Sequence, residues 1–212
     1  MEKTIVNVAS YNRIDSLVRS LESIYNQCDE INVCLNNHNG EIPDILYRDK
    51  VNLFFTDNSK GDAFKFLMLE ESNGYFLTID DDLIYPEGYV DHMVNKCIEH
   101  GNKKIITLHG RSFSSFPINS YYKSASERYA CLENVKNDVI VQFGGTGVMC
   151  FHTSLLKVSI DDLNNNQSFL NTINLLNEEP DPIEIVLGQL KFEDGDKLLL
   201  CTDAISRLFL SD

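Results

Sequence analysis

YFLTIDDDLIYPEGYV, residues 75–90, is the stretch on which the architecture of this chain turns. YFLTI is a short apolar run of the kind that forms a strand buried on both faces. It ends abruptly in Asp80, Asp81 and Asp82. Three adjacent carboxylates at a strand end repel one another, so solvent or a bound cation must offset that repulsion. An ordinary solvated acidic turn is the plain alternative. Apolar residues on both sides, YFLTI before and Leu83-Ile84-Tyr85-Pro86 after, favour a built site.

Working upstream, three more strands are predicted at TIVNVAS (4–10), INVCL (31–35) and VNLFF (51–55). Residues 13–26 place Ile14, Leu17, Leu21 and Ile24 on one helical face. Residues 62–72, with Phe66, Leu67 and Leu69 apolar, are predicted as a second helix. Strands alternating with helices imply right-handed crossovers and a mostly parallel central sheet flanked by helices, an α/β fold. Ligands bind beyond the carboxyl ends of such strands. Polar clusters fall at all four exits: Ser10-Tyr11-Asn12-Arg13, Asn36-Asn37-His38-Asn39, Thr56-Asp57-Asn58, and the aspartate triplet.

Downstream the pattern changes. A helix is predicted over 88–100 and a strand over KIITLHG (104–110). Residues 111–137, polar and aromatic with Pro117, Tyr121 and Tyr122, form a connection long enough to be functional or a lid. Residues 138–151 suggest two apolar strands around Gly144-Gly145-Thr146-Gly147. That segment lacks the GxxxxGK[ST] spacing of a phosphate loop. Ser159 has the position of a helix N-cap, residues 183–190 suggest a helix, and DKLLLC (196–201) suggests a last strand.

Bulk properties narrow the function classes. The chain has 212 residues, 43% hydrophobic and 24% charged, enough for one ordinary core. Its net charge of −14 disfavours nucleic acid and anionic lipid as partners. No run is long enough to span a bilayer, and MEKTIVNVAS lacks a signal-peptide layout. Six cysteines without a CxxC pair are expected to be buried free thiols. An acidic protein still binds a phosphorylated ligand when a metal ion inverts the local field. A hard divalent ion, Mg²⁺ or Mn²⁺, suits carboxylate oxygens and keeps positions open for phosphate. In extended backbone Asp80 and Asp82 point to one side and Asp81 to the other. Asp82, with Asp80, is therefore the metal candidate, and Asp80 or Asp81 is left to hold ribose hydroxyls or a sugar.

The series SYNR, Asp57 with KGDAFK, then FLTIDDDLIYPEGYV resembles the donor half of GT-A glycosyltransferases, which carry an Asp-x-Asp motif after the fourth strand. HGRSF, PINSYYK and FGGTGVMCFHTSLL resemble the acceptor half of bacterial capsule-type and related viral transferases, and the Asn-rich composition is similar to that of the N-terminal domain of transferases that build chlorella-virus capsid glycans. The resemblance implies a Rossmann-like sheet with a smaller acceptor-side subregion. It divides one domain into a donor half (1–100) and an acceptor half (101–212). The length, near the lower end for this architecture, also fits a fragment of a multidomain transferase. A UDP-sugar donor, a glycan or glycoprotein acceptor and a cytoplasmic location (the host's, for a viral protein) are implied.

The same resemblance assigns roles. Ala9, Ser10, Tyr11 and Arg13 would cradle the nucleotide, Tyr11 stacking on uracil unless it is a core-edge aromatic, and Arg13 approaching the diphosphate or capping the helix. Asn36 and Asp57 would touch base and ribose, unless they are turn residues bonded to their own backbone. Gly61 would permit close approach, Asp62 would bond the base, and Lys65 would reach a phosphate or be an exposed helix lysine. Gly145 would lie beside the donor sugar, or in a bulge or hairpin turn. Inverting transfer needs a base. Asp181, ahead of a helix but flanked by Pro180 and Pro182, fits that place, with Glu178, Glu179 and Glu184 as neighbours. His152 would complete the metal site, or be a structural histidine like His109. A UDP-sugar-binding or nucleotidyltransferase-like module without glycosyl transfer is the alternative, although VASYNRIDS lacks the glycine-rich basic loop of nucleotidyltransferases.

Overall fold

A computed structural model of the chain describes residues 2–114, 125–131, 137–161 and 184–187. The elements follow as β1 (Thr4–Tyr11), α1 (Ile14–Ile24), β2 (Glu30–Asn36), β3 (Val51–Thr56), β4 (Tyr75–Ile79), α2 (Tyr89–Glu99), β5 (Lys104–Thr107), β6 (Gly110–Phe113), β7 (Ala125–Tyr129), β8 (Val139–Val141), β9 (Phe143–Gly144), β10 (Val148–His152) and β11 (Glu184–Leu187). One sheet has the order β3-β2-β1-β4-β10-β5-β11-β8, and a small second sheet has the order β7-β6-β9. In the large sheet β10 and β8 run against the other six strands, so it is mixed but mostly parallel.

Both faces of the parallel part are covered, which is why its strands read as continuous apolar runs. All five residues of β4 are buried. On one face Leu17, Leu21 and Ile24 of α1 and Val90, Met93 and Cys97 of α2 pack on Val6, Val8, Ile31, Val33, Leu77 and Ile79. The other face receives the segment after β3. Phe64 packs with Ala9 and Cys34, while Phe66 and Leu69 pack with Phe76 and Phe151. Polar side chains on this face pair with each other. Asn52 donates to Asn32 Oδ1 (3.0 Å), Asn32 donates to Asn7 Oδ1 (2.8 Å), and Asn7 donates to the Leu77 carbonyl (3.1 Å). In-register placement makes this ladder possible, since Asn7 lies opposite Asn32 and Asn32 opposite Asn52. Unpaired, the buried amides of Asn7 and Asn32 would cost about 1–3 kcal/mol each.

Three elements differ from the sequence expectation. The helix expected over 62–72 is a 3-10 helix, Gly61–Phe66, followed by turns. Its i and i+3 side chains eclipse, and Lys65 and Asp62 use that alignment to pair at 2.7 Å. The strand expected over 104–110 is cut in two: β5 stays in the large sheet and β6 starts the second, bringing part of the supposed loop into a β6–β7 ladder. Part of the span expected as a helix over 183–190 is strand β11, parallel to β5 and antiparallel to β8. Ile185 and Val186 are β-branched, and pairing with β5 on one side and β8 on the other selects the extended form over a weak helical pattern. The strand expected at 196–201 lies outside the described residues. Cys28, Cys34, Cys97, Cys131 and Cys150 are all free thiols. No helix among the described residues is long and apolar enough to cross a membrane.

A charged cluster ties α2 to the start of β8. Asp138 Oδ2 lies 3.1 Å from Lys96 Nζ and 3.0 Å from His100 Nε2. Burial opposes ionisation of Asp138, but the hydrogen bonds from His100 and Lys96 outweigh it and hold its carboxyl below the ordinary range. A depressed carboxylate stabilises the fold above its unfolded pKa, and that stability is lost as pH falls through the folded value. Asp138→Asn is expected to lower stability by about 1–2 kcal/mol at pH 7 and by much less at pH 3, as read from thermal melts at the two pH values.

Candidate active site

The chain lays β2 and then β3 on one side of β1 and crosses to the other side for β4. Strand order therefore reverses between β1 and β4, and ligands bind in the crevice at such a switch point. Ile79, the last residue of β4, lies opposite Val8, while β1 continues through Ala9 and Ser10 to Tyr11. The three aspartates enter the notch left where β4 stops short. Along the same rim Asn12, Asn37 and Asn58 follow β1, β2 and β3 with φ of 55°, 50° and 61°. Asparagine is among the few residues that tolerate this left-handed region, and three of them turn the chain sharply away from the rim.

Asp80 is held from several directions. Its backbone N–H donates to the Tyr85 hydroxyl (2.8 Å), which donates to the Gly147 carbonyl (2.6 Å), and Ser20 Oγ donates to the Asp80 carbonyl (3.0 Å). The carboxylate pairs with Lys65 Nζ, which also holds Asp62. Thr146 Oγ1 donates to the other oxygen of Asp62 (3.1 Å). Lys65 is fully enclosed, with a side-chain exposure of 0%. Burial alone would lower its pKa, but Asp62 and Asp80 together raise it, so it stays an ammonium. Burial pushes the Asp62 carboxyl up, with Lys65 opposing. Gly147 lies flat against Asp80, and any Cβ there would overlap the carboxylate.

Asp81 and Asp82 share Arg13. Arg13 Nη1 lies 2.5 Å from Asp82 Oδ2, and Nη2 lies 3.3 Å from Asp81 Oδ1. Asp82 shares its counterion with Asp81 rather than with Asp80, as extended backbone ends at Ile79 and a turn begins at Asp81. Burial pushes Asp81 up to about 6, against a hydrogen bond from Ser10 and the charge of Arg13. Burial also raises Asp82, with Arg13 opposing. Asp81 Oδ2 is buried with no partner among the described residues.

Other expected contacts fall elsewhere. His152 is not at this rim: β10 is antiparallel to β4, with Val148 opposite Ile79 and His152 opposite Tyr75. It sits at the far end of β4, roughly 13 Å along the strand, bonded to Glu2 and Ser154. Lys65, expected to reach a phosphate, is the internal counterion instead, and Asp62 is joined to it rather than open to a base. Asn36 is 2% exposed, donating to the Gly61 carbonyl (3.1 Å) and accepting from Thr56, so its amide braces the rim. Gly145 is required by His109, whose Nδ1 would lie 2.8 Å from an added Cβ. Asp57 is exposed and accepts from Ser59 N–H (3.0 Å), while Gly61 opens the 3-10 helix at φ 52°. Ala9 and Ser10 are buried and Tyr11 is 45% exposed beside them. Asp181 and Glu179 lie outside the described residues. Tyr85, Ser20 and Gly147 were not singled out from sequence. The apolar flank after the triplet was the one hint of the Tyr85 brace.

The glycosyl transferase family 2 model matches residues 5–163, which span β1 to β10 and the whole of this rim. The chain belongs to that family. It is a glycosyltransferase with the GT-A fold. No curated protein matches the chain.

This glycosyltransferase presents four carboxyl groups, Asp62, Asp80, Asp81 and Asp82, against two cations, Lys65 and Arg13, a formal excess of two negative charges when all four are ionised. No group of three or more His, Cys, Asp or Glu among the described residues forms a complete metal cage. A divalent ion held by one or two carboxylates and completed by substrate phosphates would not need such a group. The excess negative charge and the orphaned Asp81 oxygen are compatible with such an ion, which Asp82 and Asp80 would hold. Lys65→Met would leave Asp62 and Asp80 buried without their counterion. It is expected to cost about 3–5 kcal/mol in denaturant unfolding, far more than an exposed helix lysine would.

Proposed function

We propose that the chain is a metal-dependent transferase that moves a hexose or deoxyhexose from a UDP-sugar to a hydroxyl of a glycan or glycoprotein. The observation that carries this is the under-neutralised carboxylate group at the sheet's switch point. A divalent ion there, Mn²⁺ or Mg²⁺, would supply the charge that offsets a departing nucleoside diphosphate. Lys65, Tyr85 and Ser20 fix Asp80, so that its carboxylate is already oriented when the donor arrives. Tyr11, exposed at the β1 exit, offers a ring face to uracil, with Ala9, Ser10 and Asp57 nearby on the rim. Gly147, lacking a side chain, lets the Asp80 carboxylate lie against its backbone.

Residues 1–100 would make the donor side and those from 101 onward the acceptor side. For an inverting enzyme, Asp181, with Glu179 as its neighbour, would take the acceptor hydroxyl's proton as the oxygen bonds to the sugar's anomeric carbon and the bond to diphosphate breaks. A cytoplasmic site of action goes with nucleotide-sugar supply.

Asp82→Ala is expected to abolish Mn²⁺-dependent turnover while near-ultraviolet circular dichroism stays native. Undiminished turnover would remove the metal assignment. Asp181→Ala should lower kcat by about 100-fold or more with little change in UDP-sugar affinity. A wild-type rate would move the base elsewhere or indicate retention. Calorimetry with UDP-sugars and Mn²⁺ separates the transferase from a binding module: binding without transfer or hydrolysis points to the module.

A further inference from the structure

The two cations at the rim are not equivalent. Lys65 is enclosed, with its side chain 0% exposed, and holds two carboxylates from beneath. Arg13 lies on the solvent side. Its side chain is 40% exposed, while the carboxylates it caps, Asp81 and Asp82, are 2% and 5% exposed. Asp82 is thus paired with a side chain that itself remains partly open to solvent. Arg13 stands in the turn between β1 and α1, and no side-chain cap fixes that turn. Asp81, clasped by the same guanidinium, keeps one buried oxygen with no partner among the described residues.

We propose that Arg13 is a displaceable counterion, occupying Asp82 in the resting protein and giving way when the divalent ion and the diphosphate arrive together. This rests on the metal-and-diphosphate reading of the site. Arg13 Nη1 already occupies Asp82 Oδ2, so a divalent ion arriving at that oxygen meets a competing positive charge that repels it. The released guanidinium has a partner at hand, since its planar fork matches phosphate oxygens bidentately. The metal alone therefore meets a competitor, whereas metal with nucleotide converts that competitor into a ligand. Arg13 couples the two ligands and keeps the ion weakly held until the nucleotide is present. Such coupling is a reciprocal free energy between two binding events.

The test uses the full chain, with free Mn²⁺ read by electron paramagnetic resonance in the absence and presence of UDP. Wild type is expected to hold Mn²⁺ weakly alone and more tightly with UDP. Arg13→Gln should hold Mn²⁺ alone about tenfold more tightly, the effect of removing one charge from a partly solvated site, and should lose about tenfold of the enhancement by UDP. Arg13→Lys, which keeps the charge, should stay near wild type without UDP. An Arg13→Gln variant with unchanged or weaker affinity for Mn²⁺ alone overturns the proposal. So does a Lys variant that gains as much as the Gln variant, because lost bulk rather than lost charge would then be the cause. Wild type that binds no Mn²⁺ even with UDP would bring down the metal reading itself. Wild type that binds with UDP while Arg13→Gln matches it without UDP brings down the role of Arg13 alone.

Discussion

The repulsion among Asp62, Asp80, Asp81 and Asp82, crowded at one notch of a sheet, is the constraint around which this molecule is arranged. Two cations offset part of it from opposite sides: Lys65 from under the sheet and Arg13 from solvent. Neither arrangement is built for stability alone. A buried ion pair of this kind rarely gains over an apolar replacement, because desolvation takes back most of the attraction. Its presence at a ligand-binding crevice is more readily explained by what an under-compensated carboxylate group attracts.

The sheet makes this crowding possible. Strand order reverses between β1 and β4, and β4 ends where β1 still has three residues to run. That notch admits the turn carrying the aspartates. The 3-10 helix brings Lys65 up from one face, and the β1–α1 turn brings Arg13 from the other. Tyr85 closes the frame by bridging the Asp80 amide to the Gly147 carbonyl. The glycine segment thereby becomes part of the acidic site, with Thr146 bonded to Asp62 and Gly147 packed on Asp80.

Much of the parallel half was legible because local pattern and tertiary role agree there. β4 coincides with YFLTI, and the strands at 4–11, 30–36 and 51–56 fall where apolar runs end in polar clusters. Agreement broke down where a residue's fate depends on a distant partner. His152 has the chemistry of a metal ligand, but antiparallel pairing of β10 carries it to the wrong end of β4. Asn36 resembles a ligand contact until Gly61 and Thr56 consume its amide. Lys65 looked like an exposed or phosphate-seeking lysine, because a helical pattern does not reveal that the segment winds as a 3-10 helix against the sheet. At Glu184–Leu187 the helical period was overruled by pairing with β5 and β8.

The sequence by itself determined the alternation of strands and helices, the polar rim and the acidic triplet at the end of a buried strand, because periodicity and burial act over neighbouring residues. Tertiary structure alone decided which carboxylate faces which cation, which glycine lies against Asp80 rather than His109, and which histidine lies far from the rim. Those outcomes depend on strand direction and register, and on side chains brought together from distant parts of the chain, as in the contact of Asp62 with Thr146 across a separation of 84. No local pattern encodes them.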